Sequence, residues 1–454
     1  MLRFLLVLAA LWAPVLARAG GAADAWWVWQ PGAEECADLA KNPPDAKDGI
    51  LYWHRLTLRV AATGPVAGQE FAAPPSGWES RVVPVARVEG GAFALERPES
   101  ANSIRAALRG MARTKPSMVQ VDFDCPQRLL PKYAAWLAEL RHEIAPVRLS
   151  VTALAGWAPL DATWREAADE IVPMFYDLKP DAPADAAAGR FQPPADADGC
   201  GVLLEKWKPC PVAWRCGLAD FTRLTRFGAD GRSFGHLRSW RLDEVMFSPT
   251  LGPAAPGPAG VWSLPVLADG PLAGTTWKSG DRLVARCPDP AALQAMEAKA
   301  RACGATGVAW FFRPSGKAAD GWSIAHIHHR GEPGAWTGQV GIENNRLVLT
   351  GDSIRDLPPN WSGDRRGWAL EVESDQALFR DASPGGFFRL EPTDASGQAR
   401  PLVSATRLAW RFARLPAGGC FQTGPVTLAE GAKWSGLRWR VRGPGLSEDW
   451  KIFP

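Results

Sequence analysis

Met118-Val-Gln-Val-Asp-Phe-Asp124 is the stretch on which the fold reading turns. Apolar, strand-forming residues run directly into two carboxylates two positions apart. Side chains alternate faces along a strand, so Asp122 and Asp124 point the same way. Two like charges on one face, at the end of an otherwise buried strand, are costly unless that end opens into a polar cleft. The mouth of a barrel of parallel strands supplies such a cleft.

Working outward, the same pattern recurs on both sides. Ala25-Trp-Trp-Val-Trp-Gln30, Ile50–Leu58 and Arg81–Val88 read as three earlier strands, with Pro84 a weak point in the third. A helix over 101–112 carries Ile104, Leu108 and Met111 on one face, and a longer one over 128–144 carries Leu130, Tyr133, Leu137, Leu140 and Ile144. Val147–Leu154, Glu170–Asp177, Val212–Leu218 and Gly307–Phe312 read as further strands, with a short helix at Trp164 and another starting at Asp289-Pro290. Residues 220–262 read as an inserted hairpin turning at Gly-Ala-Asp-Gly, 228–231. Eight strands alternating with helices predict a (β/α)₈ barrel of the TIM type rather than an open sheet. Beyond about residue 330 the period changes to two, as in Trp368–Val372 and Leu437–Val441, and no helical stripe appears. That predicts a small all-β domain, sandwich-like, over 331–454.

A chain of 454 residues is too long for one compact core, which agrees with this division. The apolar fraction of 46% and charged fraction of 22% are ordinary for a globular protein. Met-Leu-Arg, an apolar run from Phe4 to Leu16 and Ala17-Arg18-Ala19 read as a secretory signal peptide over 1–19, too short to span a bilayer. Its loss removes Arg3 and Arg18 and no acid, so the formal charge falls from +3 to +1. That balance gives no reason to expect nucleic acid or an anionic membrane as partner. An exported monomer, periplasmic or extracellular and without a transmembrane segment, is expected. Eight cysteines contain no C-x-x-C pair, and no metal or other cofactor is expected. Cys200, Cys210 and Cys216 lie close enough in sequence for a bridge among them.

Asp122, Asp124 and Asp177 all fall at predicted strand ends, with Tyr176 before Asp177 and Gln30 closing the first strand. Neighbouring carboxylates separate their pKa values, which glycosidic bond cleavage requires. Asp122-Phe-Asp124 and Met174-Phe-Tyr176-Asp177 resemble the D-x-D-x-E and M-x-Y-D motifs of glycoside hydrolase family 18. The resemblance implies that Asp124 and Tyr176 hold a substrate acetamido group, with Asp122 in support. The position of that family's general acid is Pro126, which has no proton to give; Glu205 is the alternative acid. Over most of 25–330 the chain is also similar to a bacterial family designated domain of unknown function 3142. Val28-Trp-Gln30, Val119–Asp124, Leu149–Leu154 with Trp157, and Gly307 through Arg313 carry that similarity. It implies a barrel and export, and no particular activity.

Each feature also has a structural reading. The aspartates pair with arginine at a barrel rim or cap loops. Trp29, Trp53 and Trp157 are sugar-stacking platforms or core rings. Cys125 reads as a buried, inert thiol. His326-x-His328-His329 reads as a surface strand, since no carboxylate or Cys stands beside it at ligand spacing. The expected function is action on a poly- or oligosaccharide through an acidic cluster of Asp122, Asp124 and Asp177, with Gln30, Tyr176 and the tryptophans binding. The rival expectations are a barrel that binds glycan without cleaving it, and an envelope scaffold.

Overall fold

The computed structural model describes residues 24–41, 49–195, 197–238, 240–313, 321–332, 334–363 and 366–453. The expected signal segment lies outside them. Eight strands form the central ring: Ala25–Val28, Leu51–Arg59, Val82–Glu89, Met118–Phe123, Arg148–Leu154, Glu170–Met174, Arg215–Ala219 and Gly307–Phe311. Each is hydrogen-bonded to the next and the eighth to the first, which closes the sheet. The registers are parallel, with Trp26 opposite Leu51, Arg87 opposite Asp122 and Gln120 opposite Ser150. Helices Ala33–Lys41, Pro98–Ala112, Leu130–Ile144, Ala197–Trp207 and Pro290–Ala302 occupy the crossovers. The architecture is the expected (β/α)₈ barrel, followed by separate antiparallel sheets.

The second crossover departs from the pattern. The second strand is nine residues long, and only its first third, Leu51–Trp53, is paired with the first strand. The strand Ala67–Glu70 folds back antiparallel on Leu56–Arg59 and covers what would otherwise be an open edge.

Alternation on the fourth strand sets inside from outside. Phe123 meets the edge of Tyr133 on the helix Leu130–Ile144, with ring centroids 5.3 Å apart. Gln120 and Asp122 therefore face the barrel interior. That interior is a hydrogen-bonded chain of polar groups. Trp27 Nε1 donates to Gln120 at 2.8 Å, and Gln120 donates to Ser150 at 3.0 Å. Ser150 and Tyr52 both donate to one Glu170 oxygen, at 3.0 and 2.5 Å, and Arg215 Nε donates to the other at 3.0 Å. Six strands contribute to this chain, and every member has a partner, as burial demands.

The first compact unit holds the described residues up to Met174 together with Gly201–Leu218 and Glu297–Trp310. The second holds Phe175–Cys200, Ala219–Met296 and the described residues from Phe311 onward. Within the second, the expected hairpin is present as Arg223–Phe227 against Ser233–His236. It is part of a larger sheet than 220–262 allows, because Arg282–Arg286, Val261–Pro265 and Ala255–Pro256 add to it in that order. Pro265, Gly270, Pro271, Gly274 and Gly280 break up this stretch in sequence and hide its alternation. The later residues form a five-stranded sheet, in the order Arg389–Thr393, Arg407–Phe412, Trp368–Glu373, Arg438–Arg442 and Lys451–Ile452, and a three-stranded one. Leu349, Leu370, Val372, Leu408 and Trp410 share one core. On the opposite face Arg440 and Arg442 hold Glu371, and Arg407 and Arg438 hold Glu373.

Three local expectations are corrected. His326 and His328 lie on a short helix, Ile324–His328, not a strand; Ser323 caps it by accepting from His326 N. No disulfide joins Cys200, Cys210 and Cys216, and the first and last are buried. Glu205 sits exposed on the crossover helix Ala197–Trp207, away from any strand end.

Candidate functional site

The fourth strand stops at Phe123, and Asp124 is the first residue beyond it. Asp122 is buried, whereas the Asp124 side chain is 44% exposed. Arg87, directly opposite Asp122 on the third strand, spans both. Its Nη1 donates to Asp122 Oδ2 at 2.9 Å and its Nη2 to Asp124 Oδ2 at 2.8 Å. Thr152 on the fifth strand donates to Asp122 Oδ1 at 2.7 Å. Asp122 is thus satisfied at both oxygens, and Asp124 Oδ1 has no hydrogen-bond partner among the described residues. Burial alone would lower the Arg87 pKa, but the two carboxylates more than offset it and raise it, so the guanidinium is permanently charged.

His54 stands on the same face of the second strand as Tyr52. Its Nε2 is 2.9 Å from Thr57 Oγ1, and its Nδ1 accepts from Gln30 N at 3.4 Å. Nδ1 therefore carries no proton, and Nε2 is the donor. Trp29 stacks on the imidazole at 4.1 Å and Phe71 packs at 4.4 Å. Burial, aided by the Arg87 charge, brings its pKa down to about 4, so it is neutral at pH 7. Gln30 has a left-handed backbone, φ 47°, and an exposed side chain. Non-glycine residues rarely adopt that conformation, and where they do a site is often close by.

Tyr176 and Asp177 belong to the second unit. The sixth strand ends at Met174, earlier than expected, so both lie in the loop that follows. Asp177 is also left-handed, φ 53°, with its N–H donated to Pro194 O at 2.9 Å. Its carboxylate is paired with Arg223. Tyr176 stacks on Phe311 at 5.7 Å. All three proposed acids therefore have an arginine partner, the structural reading that the sequence left open.

The tryptophans separate. Trp29 is half-buried and borders Gln30 and His54. Trp53 is fully buried, its Nε1 donating to Ala72 O at 2.7 Å. Trp157 is buried between Tyr133 and Trp164, at 6.0 and 5.9 Å. Neither Trp53 nor Trp157 offers a ring face to a ligand, which corrects their assignment as platforms: both fill core space. Cys125 is buried, and desolvation pushes its thiol pKa up to about 12, so it is inert as expected.

Sequence reasoning missed Arg87, His54 and Thr152. The signal was register: once the third, fourth and fifth strands are aligned in parallel, the polar residues on matching faces fall opposite one another.

No family model and no curated protein matches this sequence. Among solved structures, it is similar to the spore cortex-lytic enzyme SleL of Bacillus megaterium QM B1551, with 12% identity over 64% of this chain and 70% of that one, at a TM-score of 0.43. A chitinase-like agglutinin of Robinia pseudoacacia matches with 13% identity over 65% and 96%, at 0.40. A class V chitinase of Pseudomonas fluorescens Pf-5 matches with 13% identity over 63% and 93%, at 0.41. Likenesses this distant add nothing to the strand pairings, on which the assignment of the barrel rests.

Proposed function

We propose that the protein is an exported, glycan-directed barrel that binds sugar at the carboxyl end of its fourth strand without cleaving it by the family 18 route. The observation that carries this reading is the single guanidinium of Arg87 bonded to both motif carboxylates. Glycosidic cleavage needs a carboxyl group that is protonated and within reach of the leaving oxygen. Neither aspartate is placed for that while it is ion-paired, and Pro126 occupies the position where the motif calls for the acid. The same arrangement suits recognition. Asp124 has a free acceptor oxygen, Gln30 presents an unencumbered amide, and Trp29 lends part of an aromatic face.

Titration of the full chain with soluble chito-oligosaccharides, together with an assay for new reducing ends, tests the proposal. The expected outcome is saturable binding, weakened about tenfold by Asp124→Asn through loss of a charge-assisted bond, and no reducing ends on long incubation. Release of reducing ends by the wild-type protein, abolished by Asp124→Asn, would establish hydrolysis instead.

A further inference from the structure

A cavity of about 550 Å³ lies within the second compact unit, and none of the motif residues is among its described lining. Four of its lining residues are arginines: Arg366, Arg389, Arg400 and Arg411. The one acid among the described lining residues is Glu391.

Arg366 is the decisive residue. It is nine-tenths buried and makes no ion pair among the described residues. Its Nη2 donates to the backbone oxygens of Ser248 and Leu251 at 3.0 and 3.1 Å, while Nη1 is buried with no partner among the described residues. A buried guanidinium ordinarily has a carboxylate or an equivalent set of acceptors. Here burial, reinforced by the charge of another cation, Arg389, draws the Arg366 pKa down to about 10. The other charges do not redress this. Arg389 is paired with Glu391 at 2.7 Å, and Arg400 with Asp394 at 2.7 Å. Those two pairs cancel internally and leave Arg366 without a counter-charge among the described residues.

The cavity also has an apolar wall. The Phe247 ring lies beneath the guanidinium groups of Arg389 and Arg411, at 5.5 and 5.8 Å. It is held there by backbone, since a Cβ on Gly367 would come within 2.5 Å of the ring. The ring thus fixes one side of a space whose remaining surface is rich in N–H donors.

We propose that this cavity is a binding site for an anionic ligand carrying a carboxylate, sulfate or phosphate group. The oxyanion accepts from Arg366 and Arg389, and an apolar part of the ligand rests against Phe247. The volume falls within the range of about 300–1,000 Å³ typical of small-molecule sites, so the occupant is larger than a bare ion. Arginine suits this task because its planar fork matches an oxyanion at two points. The inference is independent of the sugar site at Arg87 and stands if that reading fails.

The test is calorimetric titration of the full chain, at constant ionic strength, with inorganic phosphate and separately with trigalacturonate. Saturable one-site binding of both, each displacing the other, is expected. Arg389→Gln is expected to weaken it about tenfold or more, the loss of one charge-assisted bond made worse by the released Glu391. Arg389 is half exposed, so the variant is expected to fold. Arg113→Gln, an exposed arginine on the first unit, is expected to leave binding unchanged. Tighter phosphate would point to a phosphoryl-bearing ligand and tighter uronate to an acidic glycan. Absence of saturable binding by both ligands, or binding that Arg389→Gln leaves intact, would overturn the proposal.

Discussion

Arg87, Asp122 and Asp124 form a set in which burial and charge pull in opposite directions. Asp122 is buried with the set intact, but without the guanidinium it keeps only Thr152 as partner. Arg87→Met is therefore expected to destabilise the protein by about 3–5 kcal/mol, the usual consequence of stranding a buried charge. Asp124→Asn, at an exposed position, is expected to stay within about 1 kcal/mol. Urea unfolding midpoints of the two variants check this difference. His54 gives a second test. Its native pKa, lowered to about 4 by burial, lies below its unfolded value near 6.5. Above pH 6.5 neither state holds the extra proton, and stability is full. Between pH 6.5 and 4 the unfolded state takes up a proton that the native state refuses, so stability falls as the pH drops, by up to about 3 kcal/mol. His54→Gln is expected to flatten that part of the stability–pH curve. At this scale the sequence pointed to the aspartates, because two acids closing an apolar strand are conspicuous. It did not point to Arg87 or Glu170, because a single charge within an apolar run acquires meaning only from the strand beside it.

Among the elements, the seventh strand shows how the ring accommodates its large residues. A Cβ on Gly217 would lie 3.0 Å from Pro173 O, 3.3 Å from Met174 Cα and 3.3 Å from the Trp27 ring. Two of those three neighbours are backbone and cannot give way easily. Gly217→Ala is expected to cost about 1–3 kcal/mol through overpacking, read as a lower melting temperature with unchanged secondary structure. The fourth and fifth strands and the helix Leu130–Ile144 were legible because each is long and strongly periodic. The antiparallel return after the second strand was not, since Ala67-Gly-Gln-Glu70 carries no apolar alternation and is exposed throughout. Its pairing comes from the unsatisfied edge beside it, with a single side-chain bond, Arg59 Nη1 to Gln69 Oε1 at 2.9 Å, in support. The end of the sixth strand was also misjudged, since Phe175 and Tyr176 look like strand residues, but the left-handed turn at Asp177 draws them into the loop.

Across the whole molecule, sequence patterning shows which face of an element is buried but not what buries it. Trp361 illustrates this. It is fully buried, packs in one core with Leu224 and Leu283 of the inserted sheet and with Trp277, and donates to Cys287 Sγ at 3.1 Å. Trp361→Ala is expected to lose about 3–5 kcal/mol and to expose segment 223–286 to proteolysis, although the substitution lies 75 residues beyond that segment's last strand. The many tryptophans follow the same logic: Trp26, Trp53, Trp78, Trp207, Trp277, Trp310 and Trp410 are nearly inaccessible, which marks the aromatic excess chiefly as core. The ring itself sets a timetable. Ala25–Val28 must wait for Gly307–Phe311 before its second edge is paired, and the inserted sheet is synthesised in between. An exported chain folds after translocation, so on the proposed reading the first strand keeps an open parallel edge throughout synthesis and transit. A chain in that state is a natural client for chaperones that hold it unfolded on the way.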